Sequence, residues 1–264
     1  MQAYLDLDAR GYDKGVARWT RRLADPFLDF VGLAEGERIL DVGCGTGSVA
    51  QSVLARLGPV EVHGSDPSPA SIALLRSQVS DSRLHVHVAD GNKLPLPDRH
   101  FDRCFSMLAL SFAGPGLLAE KARVTRAGGW IAAGVPDFSD TRVMIRRLYD
   151  LCAALSPAAA ELRREVLGAP MSSSVRAAAE CRRIGLRDVQ VTLLSVTVDY
   201  ESFADCWSVL AARQGPNGAM VACLPAGARE DLRAELRKAY LEGEPDGPRR
   251  EKITIWALKA RLQS

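Results

Sequence analysis

The stretch Arg38-Ile39-Leu40-Asp41-Val42-Gly43-Cys44-Gly45-Thr46-Gly47 decides the fold. Its first half, Arg38 to Val42, is a short apolar run and reads as a buried strand. Three glycines at alternate positions follow at once. Ser48 to Leu57 then reads as a helix that Gly58 stops. Glycine permits a tight turn and lets a ligand lie against bare backbone. The helix opening behind the turn offers unpaired N–H donors and a partial positive charge to an anionic group.

Working outward, the same alternation continues. Val60 to Ser65 predicts a second strand, and Ser68-Pro69 caps a helix running to about Val79. Leu84 to Ala89 and Phe101 to Met107 predict two more strands, the latter after a Pro-rich loop. Leu117 to Thr125 is helical, and Trp130 to Val135 is a strand behind the Gly128-Gly129 turn. This order predicts an α/β fold with a parallel sheet and helices on both faces. Upstream, Tyr12, Val16, Trp19, Leu23, Phe27 and Phe30 mark one helical face, and Asp25-Pro26 predicts a break into two abutting helices. Downstream of Pro136, residues 140–185 are mostly helical and Val189 to Val198 is β-rich. Helical stretches at 201–212 and 226–241 flank the expected loop Gln214-Gly215-Pro216-Asn217-Gly218, and Ile253 to Leu262 predicts a last strand. Residues 1–137 are expected to hold the N-terminal helices and a cofactor-binding core. Residues 138–264 are expected to supply helical cap segments and strands completing the same domain.

Composition bounds the function classes. At roughly 150 residues per domain, 264 residues make one large domain or one with a cap. With 47% hydrophobic and 25% charged residues the chain is globular rather than disordered. A formal net charge of +2 gives no reason to expect a nucleic-acid or anionic-membrane partner. No apolar run approaches the roughly 18 residues a membrane span needs, and Met1 to Arg10 lacks the apolar core of a secretory signal. The six cysteines are never closer than 17 positions, so no CxxC metal spacing exists and no metal is expected. Reduced thiols and a cytoplasmic chain are the simple expectation. The oligomeric state stays open, a homodimer among the options.

Asp66 closes the second strand, 19 residues after Gly47. An acidic side chain at that tip can accept both hydroxyl hydrogens of a ribose, which predicts a nucleoside-containing ligand. The dinucleotide fingerprint wants glycine where Ser48 stands, and no Walker lysine follows the loop. A ligand without phosphate, carrying its charges on an amino acid moiety, fits better.

These residues resemble the class I S-adenosylmethionine-dependent methyltransferases, especially the small-molecule group related to ubiquinone/menaquinone methyltransferases. Arg38 to Gly47 is similar to that family's first motif, and Gly64-Ser65-Asp66-Pro67-Ser68-Pro69 to its second. Ala89-Asp90-Gly91, Leu94-Pro95-Leu96-Pro97 and Phe101-Asp102 resemble its third block, and Ala127-Gly128-Gly129-Trp130 the turn before its fifth strand. The resemblance implies a Rossmann-like, doubly wound, mostly parallel seven-stranded sheet of order 3-2-1-4-5-7-6, its last strand antiparallel, with a helical cap. It implies S-adenosyl-L-methionine as cofactor. Gly43, Cys44 and Gly45 would run along its methionine part, with Asp41 positioning the amino group. Asp66 would hold the ribose, Pro67 would lie on the adenine face, and Asp90, Gly91 and Asn92 would meet the adenine edge. Met107 and Leu108 would approach the sulfonium, and Tyr12 and Trp19 would belong to a lid over the cofactor.

The implied activity is methyl transfer to a small, partly apolar metabolite. A non-catalytic binder of the same cofactor and a nicotinamide-dinucleotide oxidoreductase stay open as alternatives. No catalytic residue is assigned. His63, His85 and His87 fall within strands and His100 in a solvated loop, so all four read as structural. Ser111, Phe112, Asp137 and Trp207 are candidates for lining the acceptor pocket. The Asn/Asp-Pro-Pro-Tyr/Phe segment that amino-methylating relatives carry after strand four has no counterpart in Ala109-Leu110-Ser111-Phe112.

Overall fold

A computed structural model describes residues 9–139, 143–169, 171–212 and 215–263, apart from the side chains of Phe112 and Pro115. The chain opens with α1 (Ala9–Lys14) and α2 (Val16–Val31), then β1 (Arg38–Val42), α3 (Ser48–Arg56), β2 (Glu61–Asp66), α4 (Pro69–Gln78), β3 (Leu84–Val88) and β4 (Phe101–Phe105). Next come α5 (Leu110–Ala113), α6 (Pro115–Val124), β5 (Thr125–Pro136), α7 (Met144–Leu155), α8 (Pro157–Gly168), α9 (Ser174–Arg183) and β6 (Arg187–Tyr200). The last elements are α10 (Phe203–Leu210), α11 (Gly215–Ala222), α12 (Ala228–Leu241) and β7 (Arg249–Arg261).

Residues group into two compact units that interleave in sequence. The sheet unit comprises Thr20–Asp137, Ala169–Leu194 and Thr254–Ser264, and the helical unit comprises Met1–Trp19, Phe138–Gly168 and Ser195–Ile253. One of the boundaries between them falls at 137/138.

The seven strands run in the order β3-β2-β1-β4-β5-β7-β6, as expected. β1 pairs in parallel with β2 and β4, β2 with β3 and β4 with β5, whereas β7 lies antiparallel to β5. Strand alternation gives the sheet two apolar faces. On one, Leu40, Val42, Cys104, Ile131 and Ala133 form a core with Leu117 and Leu118 of α6 and Ala177 and Cys181 of α9. On the other, Phe105 meets Phe27 of α2 edge to face at 5.9 Å, and Ile72 and Leu75 of α4 pack beside Val86 of β3. The chain therefore winds helices over both faces, and the order reverses between β1 and β4, where open α/β sheets place ligands.

In the helical unit, Arg18 grips Asp205 with two hydrogen bonds of 2.8 and 3.1 Å and lies over the Tyr200 ring. Phe203 of α10 sits 5.8 Å from the ring of Tyr240 on α12, whose hydroxyl donates to the Gly247 carbonyl at 2.9 Å. Tyr149 of α7 is fully buried and stacks on Phe138.

Two local expectations are corrected. The N-terminal helices separate at Gly15, and α2 runs through Pro26 without a break. Proline removes one helical hydrogen bond, but Leu23, Phe27 and Leu28 around it are fully buried, and that burial holds the helix together. The expected loop at 214–218 is instead the start of α11 from Gly215 onward, Gln214 lying outside the described residues. Pro216 stands in the first turn, where its missing N–H costs nothing, and Met220 is fully buried.

Candidate cofactor site

The site is built at the C-terminal ends of β1, β2 and β4. After Val42 the chain turns through Gly43, Gly45 and Gly47, with φ of 75°, 54° and 88°, all left-handed. At Gly43 a Cβ would fall 2.4 Å from the Cβ of Ala109, and at Gly47 2.4 Å from Cδ1 of Leu75. Neither position therefore accepts a side chain, on grounds of conformation and space together. Gly43 and Cys44 both donate to the Ser65 carbonyl, at 2.7 and 3.0 Å, which ties the turn to β2. Gly47 is the N-cap of α3 and has no side chain to close the first turn.

Asp66 sits at the junction of this turn with the next. Its Oδ2 accepts from Gly45 N and its Oδ1 from Ser68 N, both at 2.9 Å. Each oxygen keeps a second acceptor direction. The carboxylate thus already braces the glycine turn, and any ligand hydroxyl would share it. Burial raises the Asp66 pKa, opposed by these two N–H groups. Pro67 is half-buried beside it.

Asp41 is almost wholly buried, and burial pushes its carboxyl up to about 7, against the lowering effect of Lys121. Among the described residues its Oδ1 and the Ser65 hydroxyl have no hydrogen-bond partner. A buried acceptor without a partner costs about 1–3 kcal/mol, so both atoms are receptive to a donor. Lys121 is the feature that sequence reading missed. It is fully buried on α6 and donates to Ser106 Oγ at 2.7 Å and to the Ala132 carbonyl at 2.6 Å. Burial brings its pKa down to about 8. The signal was legible: Lys121 falls on the inward helical face that Leu117, Leu118 and Val124 define.

Asp90 Oδ1 accepts from both the backbone and side-chain nitrogens of Asn92, at 2.9 and 3.1 Å, forming a local turn. At Gly91 a Cβ would meet Leu117 Cδ1 at 2.3 Å, so glycine is required there by packing. Met107 and Leu108 follow β4 and are buried. Leu108 has φ of 68°, a left-handed conformation costing a leucine about 1–2 kcal/mol. Its N–H donates to the Gly134 carbonyl at 2.8 Å, which holds it there. Strain of this kind concentrates at functional sites.

The acceptor candidates fall on different elements. Ser111 is buried and its hydroxyl donates to the Met171 carbonyl at 3.3 Å. Phe112 lies on α5, and its side chain is outside the described residues. Asp137 follows β5, its N–H donating to the Thr254 carbonyl at 3.1 Å. Trp207, Tyr12 and Trp19 belong to the helical unit. Trp207 is half-buried on α10 against Phe203, with the guanidinium groups of Arg229 and Arg233 over its ring at 5.9 and 6.0 Å. Tyr12 is half-buried on α1, and Trp19 is buried on α2.

This sheet order, with a glycine turn feeding α3 and an acid ending β2, defines a class I nucleoside-cofactor fold. Residues 39–129 match the family model described as a methyltransferase domain. It is similar to a malonyl-[acyl-carrier protein] O-methyltransferase of Halorhodospira halophila, 37% identical over 129 residues, covering 47% of this chain and 43% of the relative. It is similar also to a demethylmenaquinone methyltransferase of Tropheryma whipplei, 34% identical over 137 residues, with coverages of 51% and 54%. The chain thus spans about half the length of the curated relatives it matches. In fold it is similar to a Haemonchus contortus phosphoethanolamine N-methyltransferase solved with S-adenosyl-L-methionine, with a TM-score of 0.58 at 16% identity over 97% of this chain and 57% of that one. Among the described residues no helix is long and apolar enough to cross a membrane.

Proposed function

We propose that this chain transfers a methyl group from S-adenosylmethionine to a small, partly apolar acceptor. One observation carries the reading. The left-handed glycine turn opens α3 without a side-chain cap, and a buried, unpartnered Asp41 oxygen lies at the end of the strand that feeds it. A ligand bearing an ammonium group and a carboxylate fits that pair: the ammonium donates to the open Oδ1 of Asp41, whose carboxylate already takes the Ala50 N–H, and the ligand carboxylate lies toward the positive N-terminal end of α3. Asp66 would hold a ribose while keeping Gly45 and Ser68 in place. Pro67, Asp90 and Asn92 would border the base, and Met107 and Leu108 the reacting end.

When bound, S-adenosylmethionine supplies a methyl group already activated as a sulfonium. The residues of the chain are then left to hold the acceptor in line and to exclude water, and orientation of this kind lowers a barrier by several kcal/mol. No side chain in the sheet unit is assigned as general base. Support for a partly apolar acceptor comes from the relatives, which are named for a malonyl acyl carrier and a demethylated menaquinone. The test is a screen for S-adenosylhomocysteine release over acyl-carrier, quinol and phenol acceptors. Turnover with one class supports the reading. Tight cofactor binding without turnover of any acceptor would favour a non-catalytic binder.

A further inference from the structure

All four histidines of the chain converge on one patch of the sheet unit. The ring of His63 on β2 lies 4.9 Å from His85, 5.3 Å from His87 and 6.4 Å from His100. The strand register explains the core of this cluster. His63 pairs directly with His85 across the parallel β2–β3 ladder, and His87 lies two residues on, on the same face of the strand. Glu61, two residues before His63, shares that face, and its Oε1 faces His63 Nε2 at 2.8 Å.

We infer that Glu61, His63 and His85 bind a divalent transition-metal ion of the zinc class. Donor atoms of these three residues lie within 4.8 Å of one another. Zinc bonds of about 2.0–2.1 Å in a tetrahedron place neighbouring donors about 3.3 Å apart. The set therefore closes by at most about 1.5 Å, and the His85 side chain that must move is exposed. Imidazole and carboxylate donors suit zinc, copper or nickel, and not calcium or magnesium.

The surroundings are those of a metal site. Arg38 Nε binds the other Glu61 oxygen at 3.0 Å, fixing the carboxylate and leaving Oε1 toward His63. His63 Nδ1 faces His87 Nε2 at 3.1 Å. With His87 accepting from Nδ1, His63 presents Nε2 to the ion, the outer hydrogen bond that metal-bound histidines need. His85 and His87 also line a cleft of about 370 Å³ at the sheet edge. Phe101 closes the buried side, edge-on to His63 at 5.1 Å. The bound ion would clamp edge strand β3 to β2. Sequence spacing gave no hint of it, because its donors come from two strands more than twenty residues apart.

The test uses full-length, tag-free protein stripped with a chelator and dialysed, then titrated with zinc chloride by calorimetry and with cobalt chloride by visible absorption. One zinc per chain is expected, with the intense visible bands of tetrahedral cobalt and a rise in melting temperature that grows with zinc concentration. His63→Ala and His85→Ala should each weaken binding at least tenfold, and His87→Ala about tenfold through the outer hydrogen bond. His100→Ala should leave it unchanged. His85 is exposed, so His85→Ala decides the question if His63→Ala unfolds. Absence of saturable one-to-one binding, or full affinity in folded His85→Ala, would overturn the site.

Discussion

Two strand-to-helix turns stand side by side in the sheet and are finished differently. At the β2–α4 turn the chain closes its own helix: Ser68 Oγ accepts from Ser71 N at 3.2 Å, and Pro69 fills the first helical position. At the β1–α3 turn the cap is Gly47, which has no side chain to offer. Asp66, which ends β2, spends one oxygen on each turn. A glycine cap costs a helix only a few tenths of a kcal/mol relative to a Ser or Asp cap. The first turn keeps its bare backbone for a ligand, while the Ala50 N–H of α3 is already met by the Asp41 carboxylate. The second is finished for folding.

The largest effect should come from filling the first turn. Gly43→Ala adds a left-handed alanine and a 2.4 Å clash with Ala109, and is expected to cost about 2–4 kcal/mol in urea unfolding and most cofactor affinity. Ala109→Gly in the same chain should recover the clash but not the backbone strain. A Gly43→Ala protein with unchanged midpoint and affinity would erase the contrast between the turns.

Asp66 comes next, because it serves both. Asp66→Asn cannot accept from Gly45 and Ser68 with both terminal atoms, since its amide nitrogen is a donor. Charge-assisted hydrogen bonds contribute about 1.5–3 kcal/mol each, so calorimetry should show at least a tenfold loss in S-adenosylhomocysteine affinity for Asn and Ala alike. If Asn binds as wild type does, the carboxylate's charge plays no part.

A third test concerns Asp41 and pH. Burial pushes its folded pKa up to about 7, well above the usual aspartate range. The folded chain thus holds this proton longer than the unfolded chain does. The contribution of Asp41 to stability must fall as pH rises from about 4 to 7. Wild type should lose a few kcal/mol of stability relative to Asp41→Asn across that window, measured by urea unfolding at each pH. A flat difference would mean that Asp41 is solvated. If an ammonium group docks on Asp41, S-adenosylmethionine binding near pH 6 should release a proton, seen as dependence of the binding heat on the buffer.

The smallest effect on the site is expected at Trp207, held in the helical unit by Phe203, Arg229 and Arg233. Trp207→Ala should lower the melting temperature by a few degrees, as loss of an aromatic and its cation–π contacts implies. S-adenosylhomocysteine affinity should change less than about threefold, a difference within one hydrogen bond. A larger loss would place Trp207 among the groups the ligand needs.

Much of this was legible before any coordinates. Short apolar runs separated by Gly, Pro and Ser marked the strands, and Ser68-Pro69 announced its cap because capping is local chemistry. What escaped was decided by tertiary burial. Pro26 reads as a helix breaker, yet Leu23, Phe27 and Leu28 carry α2 through it. Lys121 reads as a surface charge until its position on the inward face of α6 is counted. The acceptor pocket was least legible, since its candidates Ser111, Asp137 and Trp207 come from segments without a shared motif.

Calorimetric titration of the wild-type chain with S-adenosylhomocysteine and, separately, with NAD tests the central claim most directly. One molecule of S-adenosylhomocysteine per chain should bind with a dissociation constant on the order of micromolar, about −8 kcal/mol, and NAD should show no comparable heat. Tighter binding of NAD, or no binding of S-adenosylhomocysteine to folded protein, would contradict the assignment of the uncapped β1–α3 turn to an amino-acid-bearing nucleoside.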